Sequence, residues 1–292
     1  MELKIQNILV CGGDERQLYA AAALIKKNFN VAVTGFEKSG RASAYTQGSP
    51  DAALLSGWDA VILPLPVTRD GETVSMPLSD RSFSIEELCA SLKPGRPVFG
   101  GMVSAPLRER MEQMGVRVLD YYAREELITA NAVPTAEGTL KVVIESTPGM
   151  VQWSHAAVTG FGRTAKAVVR VLSGVGANVT VFARKSTDWA QAQAWGCTAC
   201  PFQNLPALAG TFDFVVNTVP APVIGEPVLK RLNPDCPVID IASPPGGVDI
   251  PAAEKYGIRV IPALSLPGKY APKTAGEIIG DTISNLIQEE YA

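Results

Sequence analysis

Residues 153–185, WSHAAVTGFGRTAKAVVRVLSGVGANVTVFARK, align without a gap on residues 5–37, IQNILVCGGDERQLYAAAALIKKNFNVAVTGFE. Gly12 falls on Gly160, Asn30 on Asn178 and Phe36 on Arg184. The echo continues with small shifts. DAVILPLPV (59–67) matches DFVVNTVPA (213–221), LKPGRPVFGG (92–101) matches LNPDCPVIDI (232–241), and EQMGVRVL (112–119) matches EKYGIRVI (254–261). Each matched run is a short apolar strand, and helical spacers separate the runs, as in βαβ units of a parallel sheet. The repeat predicts an α/β protein of two doubly wound domains with parallel sheets, related by internal duplication.

The expected boundaries are a first domain over 1–130, a connecting helix over 131–150, a second domain over 151–266 and a C-terminal helix over 267–292. The connector NAVPTAEGTLKVVIESTPG (131–149) is expected to form a turn, then a helix, ending at a Pro-Gly stop. Ile278, Ile279, Ile283, Leu286 and Ile287 recur at helical spacing, and that last helix is expected to return to the first domain. The cleft between two such domains is the expected place for a cofactor and a second ligand.

VTGFGRTA places Gly160, Gly162 and Ala165 as G-x-G-x-x-A directly after the strand HAAVT and at the start of a helix. Gly160 permits the tight turn, Gly162 lets the backbone approach a pyrophosphate, and Ala165 allows close helix–strand packing, as in a Rossmann dinucleotide site. Phe161, Arg163 and Thr164 complete the loop, whose free N–H groups face the anion. The next strand, NVTVFARK, ends in Ala183, Arg184 and Lys185, with Ser186 and Thr187 following. An NAD site usually carries Asp or Glu there, whereas two cations and two hydroxyls suit a 2′-phosphate. NADP is therefore the expected cofactor, with Thr218 and Pro220 after the matched strand as further contacts.

In the first half the same frame carries GGDERQ (12–17). Asp14 stands where the second glycine should be, and Phe36–Glu37 replace Arg184–Lys185, so the nucleotide chemistry is gone. Asp14, Arg16 and Gln17 at a helix start are candidates for binding a small carboxylate substrate. The structural alternative is that Asp14 caps the helix and Arg16 is solvated.

Bulk properties exclude other classes. A net charge of −3 gives no case for nucleic acid, and no Lys/Arg cluster or long apolar run argues for a membrane. MELKIQNILV carries no signal-peptide pattern, which predicts a cytoplasmic protein. Five scattered cysteines do not suit a disulfide framework. Cys197 and Cys200 form a lone CxxC, and with His155 as the only histidine no metal site is expected.

A histidine base is not available near the carboxyl ends of the strands, since His155 opens the strand before the glycine loop. Glu137 in PTAEGT and Lys273 in APKTAG remain as candidate base or orienting groups. Ser243 in DIASPPGG, at the end of a predicted strand, is placed to face a nicotinamide. Each could instead be a cap or a surface group.

GGDERQ, PTAEGT, TGFGRTA, DIASPPGG and LPGKYAPKTAG, in this order and spacing, resemble the A-subunit family of dipicolinate synthase from spore-forming bacteria. The resemblance spans nearly the whole chain. It implies a cytoplasmic oxidoreductase of the mother cell during sporulation, which makes pyridine-2,6-dicarboxylate with NADP on a branch of the lysine pathway. Its substrate would be dihydrodipicolinate or the hydrated precursor, and its partner a smaller, flavoprotein-like B subunit. A homo-oligomer is the expected assembly. The chain departs from the family pattern at Ala165, often Gly, and at Pro244, often Arg. Two other readings stay open: a different NADP-dependent dehydrogenase of a small acid or amino acid, and a non-catalytic cofactor-binding subunit.

Overall fold

In NILVC (7–11) the side chains alternate, so Ile8 and Val10 enter one apolar layer while Leu9 and Cys11 enter another. Ala156 and Val158 part from Ala157 in the same way in HAAVT. Strands buried on both faces need helices on both faces, and the chain supplies them.

In a computed structural model, which describes residues 4–47 and 57–291, the chain forms two compact units. The first holds the residues up to Asn131 together with those from Ala271 onward; the second is Ala132–Tyr270. The first sheet contains β1 (Asn7–Cys11), β2 (Asn30–Thr34), β3 (Thr46–Gln47), β4 (Ala60–Ile62), β5 (Val98–Gly100) and β6 (Val118–Asp120). The second contains β7 (His155–Thr159), β8 (Asn178–Phe182), β9 (Thr198–Cys200), β10 (Phe214–Asn217), β11 (Val238–Asp240) and β12 (Val260–Pro262).

All the strand pairings within these sheets are parallel, and the orders are β3-β2-β1-β4-β5-β6 and β9-β8-β7-β10-β11-β12. Both are the doubly wound Rossmann order. Register repeats too, with Asn7 opposite Asn30 in the first sheet and His155 opposite Asn178 in the second. The helices that follow the first strands, Glu15–Lys26 and Arg163–Gly174, also fall on equivalent residues.

The connector differs from expectation. Asn131–Pro134 makes no turn; one helix runs Glu125–Ser146 with Pro134 inside it. Proline removes one donor and favours a boundary. Here Ala132, Ala136, Val142 and Val143 on both sides of it are buried, and this packing overrides the local preference. The C-terminal boundary shifts as well. Leu266–Tyr270 is a separate short helix of the second unit, packed on Gly138, where an added Cβ would stand 2.9 Å from Leu266 Cβ.

The last helix, Pro272–Tyr291, lies along Glu15–Lys26 and closes the first unit's core through Ile279, Ile283, Leu286 and Ile287. Two glycines let the backbones touch. An added Cβ at Gly276 would overlap the Arg16 carbonyl and stand 2.5 Å from Tyr19 Cβ, and one at Gly280 would stand 2.8 Å from the Ala20 carbonyl. Contacts advance in step along both helices, ending with the Lys27–Asp281 ion pair at 3.1 Å, so the two run in the same direction. Among the described residues no helix is long and apolar enough to cross a membrane.

This contact sets a stability test. Gly276→Val should lower the unfolding free energy by about 3 kcal/mol in urea denaturation, because the overpacked atoms include backbone. Asp281→Ala, which removes only an exposed ion pair, should shift it by less than about 1 kcal/mol.

Candidate functional site

The carboxyl ends of the second sheet converge on the glycine loop. Gly160 takes φ +92°, its N–H donates to the Phe182 carbonyl at 2.8 Å, and an added Cβ would stand 2.5 Å from Thr218 Oγ1. Only glycine fits that turn. Gly162 is the N-cap of Arg163–Gly174 and supplies no capping side chain; a Cβ there would meet open space. The helix start thus has no capping side chain and room above its backbone, which fits a pyrophosphate.

The neighbours of this loop divide by depth. Phe161 is buried and its ring packs on Trp195 at 5.4 Å between centroids, so that residue offers the loop its backbone and not its side chain. Ala165, in the first turn of the helix, is fully buried. Arg163 is exposed and Thr164 half-buried. At the end of β8, Ala183 is buried, with its carbonyl taken by Trp189 Nε1 at 2.9 Å, while Arg184, Lys185 and Ser186 are exposed. Neither Ala183, Arg184 nor Lys185 is acidic, so the donor set suits a phosphorylated ribose better than a free 2′-hydroxyl.

A buried polar network under the same rim lies outside the residues picked from the sequence. Asn217 Oδ1 accepts from Thr159 Oγ1 at 2.5 Å and from the Val219 N–H at 3.1 Å. Its Nδ2 donates to the Val219 carbonyl at 3.0 Å and to Asp240 Oδ1 at 2.8 Å. Asp240 also accepts from the Ala242 and Gly247 N–H groups at 3.1 and 3.2 Å. The network therefore clamps both loops that carry predicted contacts, Thr218 and Pro220 on one and Ser243 on the other. Thr218 is half-buried, and its hydroxyl donates to the Thr159 carbonyl at 2.7 Å; Pro220 and Ser243 are exposed. The equivalent positions in the first unit are Cys11, Leu63 and Gly100, which are all buried and cannot build it. A polar Asn at the end of the apolar run FVVN is the signal in the sequence that points to it.

The first unit fills its own glycine loop. Gly12 N–H donates to the Thr34 carbonyl at 2.9 Å, the counterpart of the Gly160 bond. Above it lies Met76, whose Cγ would stand 2.6 Å from a Cβ at Gly12 and whose Cε covers Gly35. The Ser75 carbonyl takes the Gly13 N–H at 2.9 Å. Asp14 Oδ1 caps the helix by accepting from the Arg16 N–H at 3.0 Å.

Arg16 is not solvated. Its Nε donates to Asp14 Oδ1 at 2.8 Å and its Nη2 to Asp14 Oδ2 at 2.8 Å and to the Leu65 carbonyl at 2.7 Å. Its side chain is 8% exposed, against 33% for Asp14. Burial works against the guanidinium charge, and Asp14 more than offsets it, so the Arg16 pKa lies above its ordinary value. Gln17 is fully buried; Nε2 lies 3.4 Å from the Tyr121 hydroxyl, which donates to the Leu63 carbonyl at 3.0 Å. Burial raises the Tyr121 pKa, keeping the hydroxyl a neutral donor.

Lys273 is exposed in the first turn of Pro272–Tyr291. Since that helix runs beside Glu15–Lys26 in the same direction, Lys273 shares an end of the first unit with Asp14, Arg16 and Gln17. Glu137 is exposed on Glu125–Ser146, in the second unit. His155 opens β7 at the opposite end of that sheet from the glycine loop. All five cysteines are free, and burial pushes the Cys11 and Cys236 thiols up to about 12. Among the described residues no group of three or more His, Cys, Asp or Glu is arranged to hold a metal ion.

Comparison with known proteins gives a consistent set of relatives. A family model described as the N-terminal domain of the dipicolinate synthase A subunit matches residues 7–122. The dipicolinate synthase A subunit of Bacillus subtilis (strain 168) is 31% identical over 288 residues, covering 98% of this chain and 97% of that protein. The crystal structure of the dipicolinate synthase A subunit from Bacillus halodurans matches with a TM-score of 0.89 at 29% identity, over 98% of this chain and 99% of that one. The crystal structure of its counterpart from Bacillus subtilis matches with a TM-score of 0.86 at 30% identity, over 99% and 97%.

The two loops predict a graft. Gly162→Asp copies the Asp14 cap into a position with free space, so thermal unfolding should stay within a few degrees of the parent. Binding of a pyrophosphate-bearing dinucleotide, followed by NADPH fluorescence, should weaken at least about a hundredfold, from one lost charge-assisted contact and one added repulsion.

Proposed function

The chain belongs to the A-subunit family of dipicolinate synthase, and from that footing we propose that it oxidises dihydrodipicolinate, or its hydrated precursor with loss of one water, to dipicolinate with NADP⁺, working with a partner B subunit. One observation carries the cofactor half of the reading. At equivalent helix starts, Gly162 supplies no capping side chain and leaves room above it, while Asp14 caps the first unit's helix by accepting from the Arg16 N–H. The second unit is thus the nucleotide domain, and the first is free for substrate.

NADP⁺, when bound, supplies the hydride acceptor for a ring C–H, while the accompanying proton leaves to a protein group or water. Gly160 and Gly162 give the pyrophosphate its backbone cradle. Arg184, Lys185 and Ser186 hold the 2′-phosphate by charge and hydrogen bonding. Thr218, Pro220 and Ser243 border the nicotinamide end on loops that Asn217 and Asp240 keep in place. Aromatisation of the product supplies driving force, so the chain's main task is to hold a diacid in one orientation. Lys273 at its helix start receives a carboxylate, the Asp14–Arg16–Gln17 turn shapes the rest of the substrate site, and Glu137 orients the ring or takes the released proton.

The deciding experiment gives the protein, with and without its candidate B subunit, NADP⁺ and substrate formed in situ from pyruvate and aspartate semialdehyde. Dipicolinate, read by terbium luminescence, and NADPH, read by absorbance, should rise together above an enzyme-free blank. If neither rises while NADPH binds, the oxidation reading fails and a cofactor-binding role takes its place. Replacing Arg184 and Lys185 together by Ala should shrink the preference for NADPH over NADH by at least about tenfold, measured as the ratio of dissociation constants.

A further inference from the structure

The first unit's glycine turn spends several of its donors internally and keeps an exposed acceptor. Gly13 N–H goes to the Ser75 carbonyl at 2.9 Å, Arg16 N–H to Asp14 Oδ1 at 3.0 Å, and Gln17 N–H to the Asp14 carbonyl at 3.0 Å. Three contacts to Asp14 and one to Leu65 engage the Arg16 Nε and Nη2 donors. What the turn presents is the Asp14 carboxylate, at 33% exposure with the guanidinium tucked behind it at 8%.

Gln17 adds a second acceptor. The Tyr121 hydroxyl hydrogen goes to the Leu63 carbonyl, so its oxygen can only accept, which points Gln17 Nε2 towards it. Gln17 Oε1 is left buried with no partner, 2.6 Å from where a Cβ of Gly13 would stand. A buried amide oxygen without a donor is costly, and a ligand or water that brings one is stabilised there.

We infer that this turn recognises a hydrogen-bond donor on the substrate, the hydroxyl of its hydrated form or the N–H of its protonated ring nitrogen, through Asp14 with Gln17 beside it, and that Arg16 is a positioning residue which fixes and balances the Asp14 carboxylate. The inference rests on the proposed diacid substrate, whose hydrated form carries a hydroxyl and whose cyclic imine nitrogen carries an N–H when protonated. Carboxylate recognition then falls to Lys273 and the neighbouring helix start, and the turn selects for the reduced ring.

The test compares two stable diacids by calorimetry on the full chain with NADPH bound. cis-Piperidine-2,6-dicarboxylate offers ring N–H donors; benzene-1,3-dicarboxylate has the same carboxylate spacing and none. The piperidine diacid should bind at least about tenfold tighter, as expected for a hydrogen bond to a charged acceptor. Asp14→Asn should abolish most of that ratio, Gln17→Leu should reduce it, and Arg16→Lys should restore more of it than Arg16→Gln. Lys273→Ala should weaken both ligands alike and leave the ratio intact. Because a ratio cancels any loss of folded protein, an Asp14→Asn variant with the parent's ratio overturns the inference, as does a parent that prefers the benzene diacid. If the parent binds neither diacid, the substrate reading beneath falls with it, whereas loss of the ratio alone leaves that reading standing.

Discussion

A helix begins with backbone N–H groups that nothing inside the helix can satisfy, and this chain answers that constraint twice in opposite ways. Before Glu15–Lys26 the Asp14 carboxylate caps the helix at the Arg16 N–H and brings its own counter-cation. Before Arg163–Gly174 the N-cap is Gly162, which has no side chain to cap with. The difference between a glycine and an aspartate at one repeat position therefore separates two halves that otherwise share one frame. Everything around each helix start follows suit: a methionine and a carbonyl lie over the first loop, while exposed cations and hydroxyls ring the second.

Packing makes the division durable. Met76 is held against Gly12 and Gly35, where a nucleotide would need space, and the Lys38 N–H bonds the Leu78 carbonyl at 2.9 Å. Removing Asp14 alone would not recover a dinucleotide site, because the volume is taken as well as the charge. In the second unit the reverse holds. The Thr159–Asn217–Asp240 network commits buried polar groups to fixing two loops, a desolvation cost that the first unit avoids by placing Cys11, Leu63 and Gly100 there instead.

Much of the fold is legible because a repeat compares the chain with itself. Once Gly12 lies on Gly160, the period-2 runs fix which strands match, and the structure pairs those residues in both sheets. The family resemblance and the two-domain fold class are legible from the same motifs. What stays hidden depends on contacts distant in sequence. Pro134 looks like a boundary because the burial that carries the helix past it comes from residues far along the chain. The Met76 cover has no signature, since a loop's destination is not written in its own residues. For Arg16 the two sequence alternatives are ligand binding and solvation, whereas the structure shows a buried fork closed on Asp14 two residues away, a pairing that composition cannot rank.

The return of Pro272–Tyr291 to the first unit has a consequence in time. Translation delivers Ala132–Tyr270 as an uninterrupted stretch that can fold as soon as it clears the ribosome. The first unit, although synthesised earlier, waits with the core on one side of its sheet, where Glu15–Lys26 already packs, still incomplete until Pro272–Tyr291 emerges. Birth order and completion order are thus reversed. A nascent chain passes through a stage in which the younger unit is finished and its older sibling still lacks part of its core.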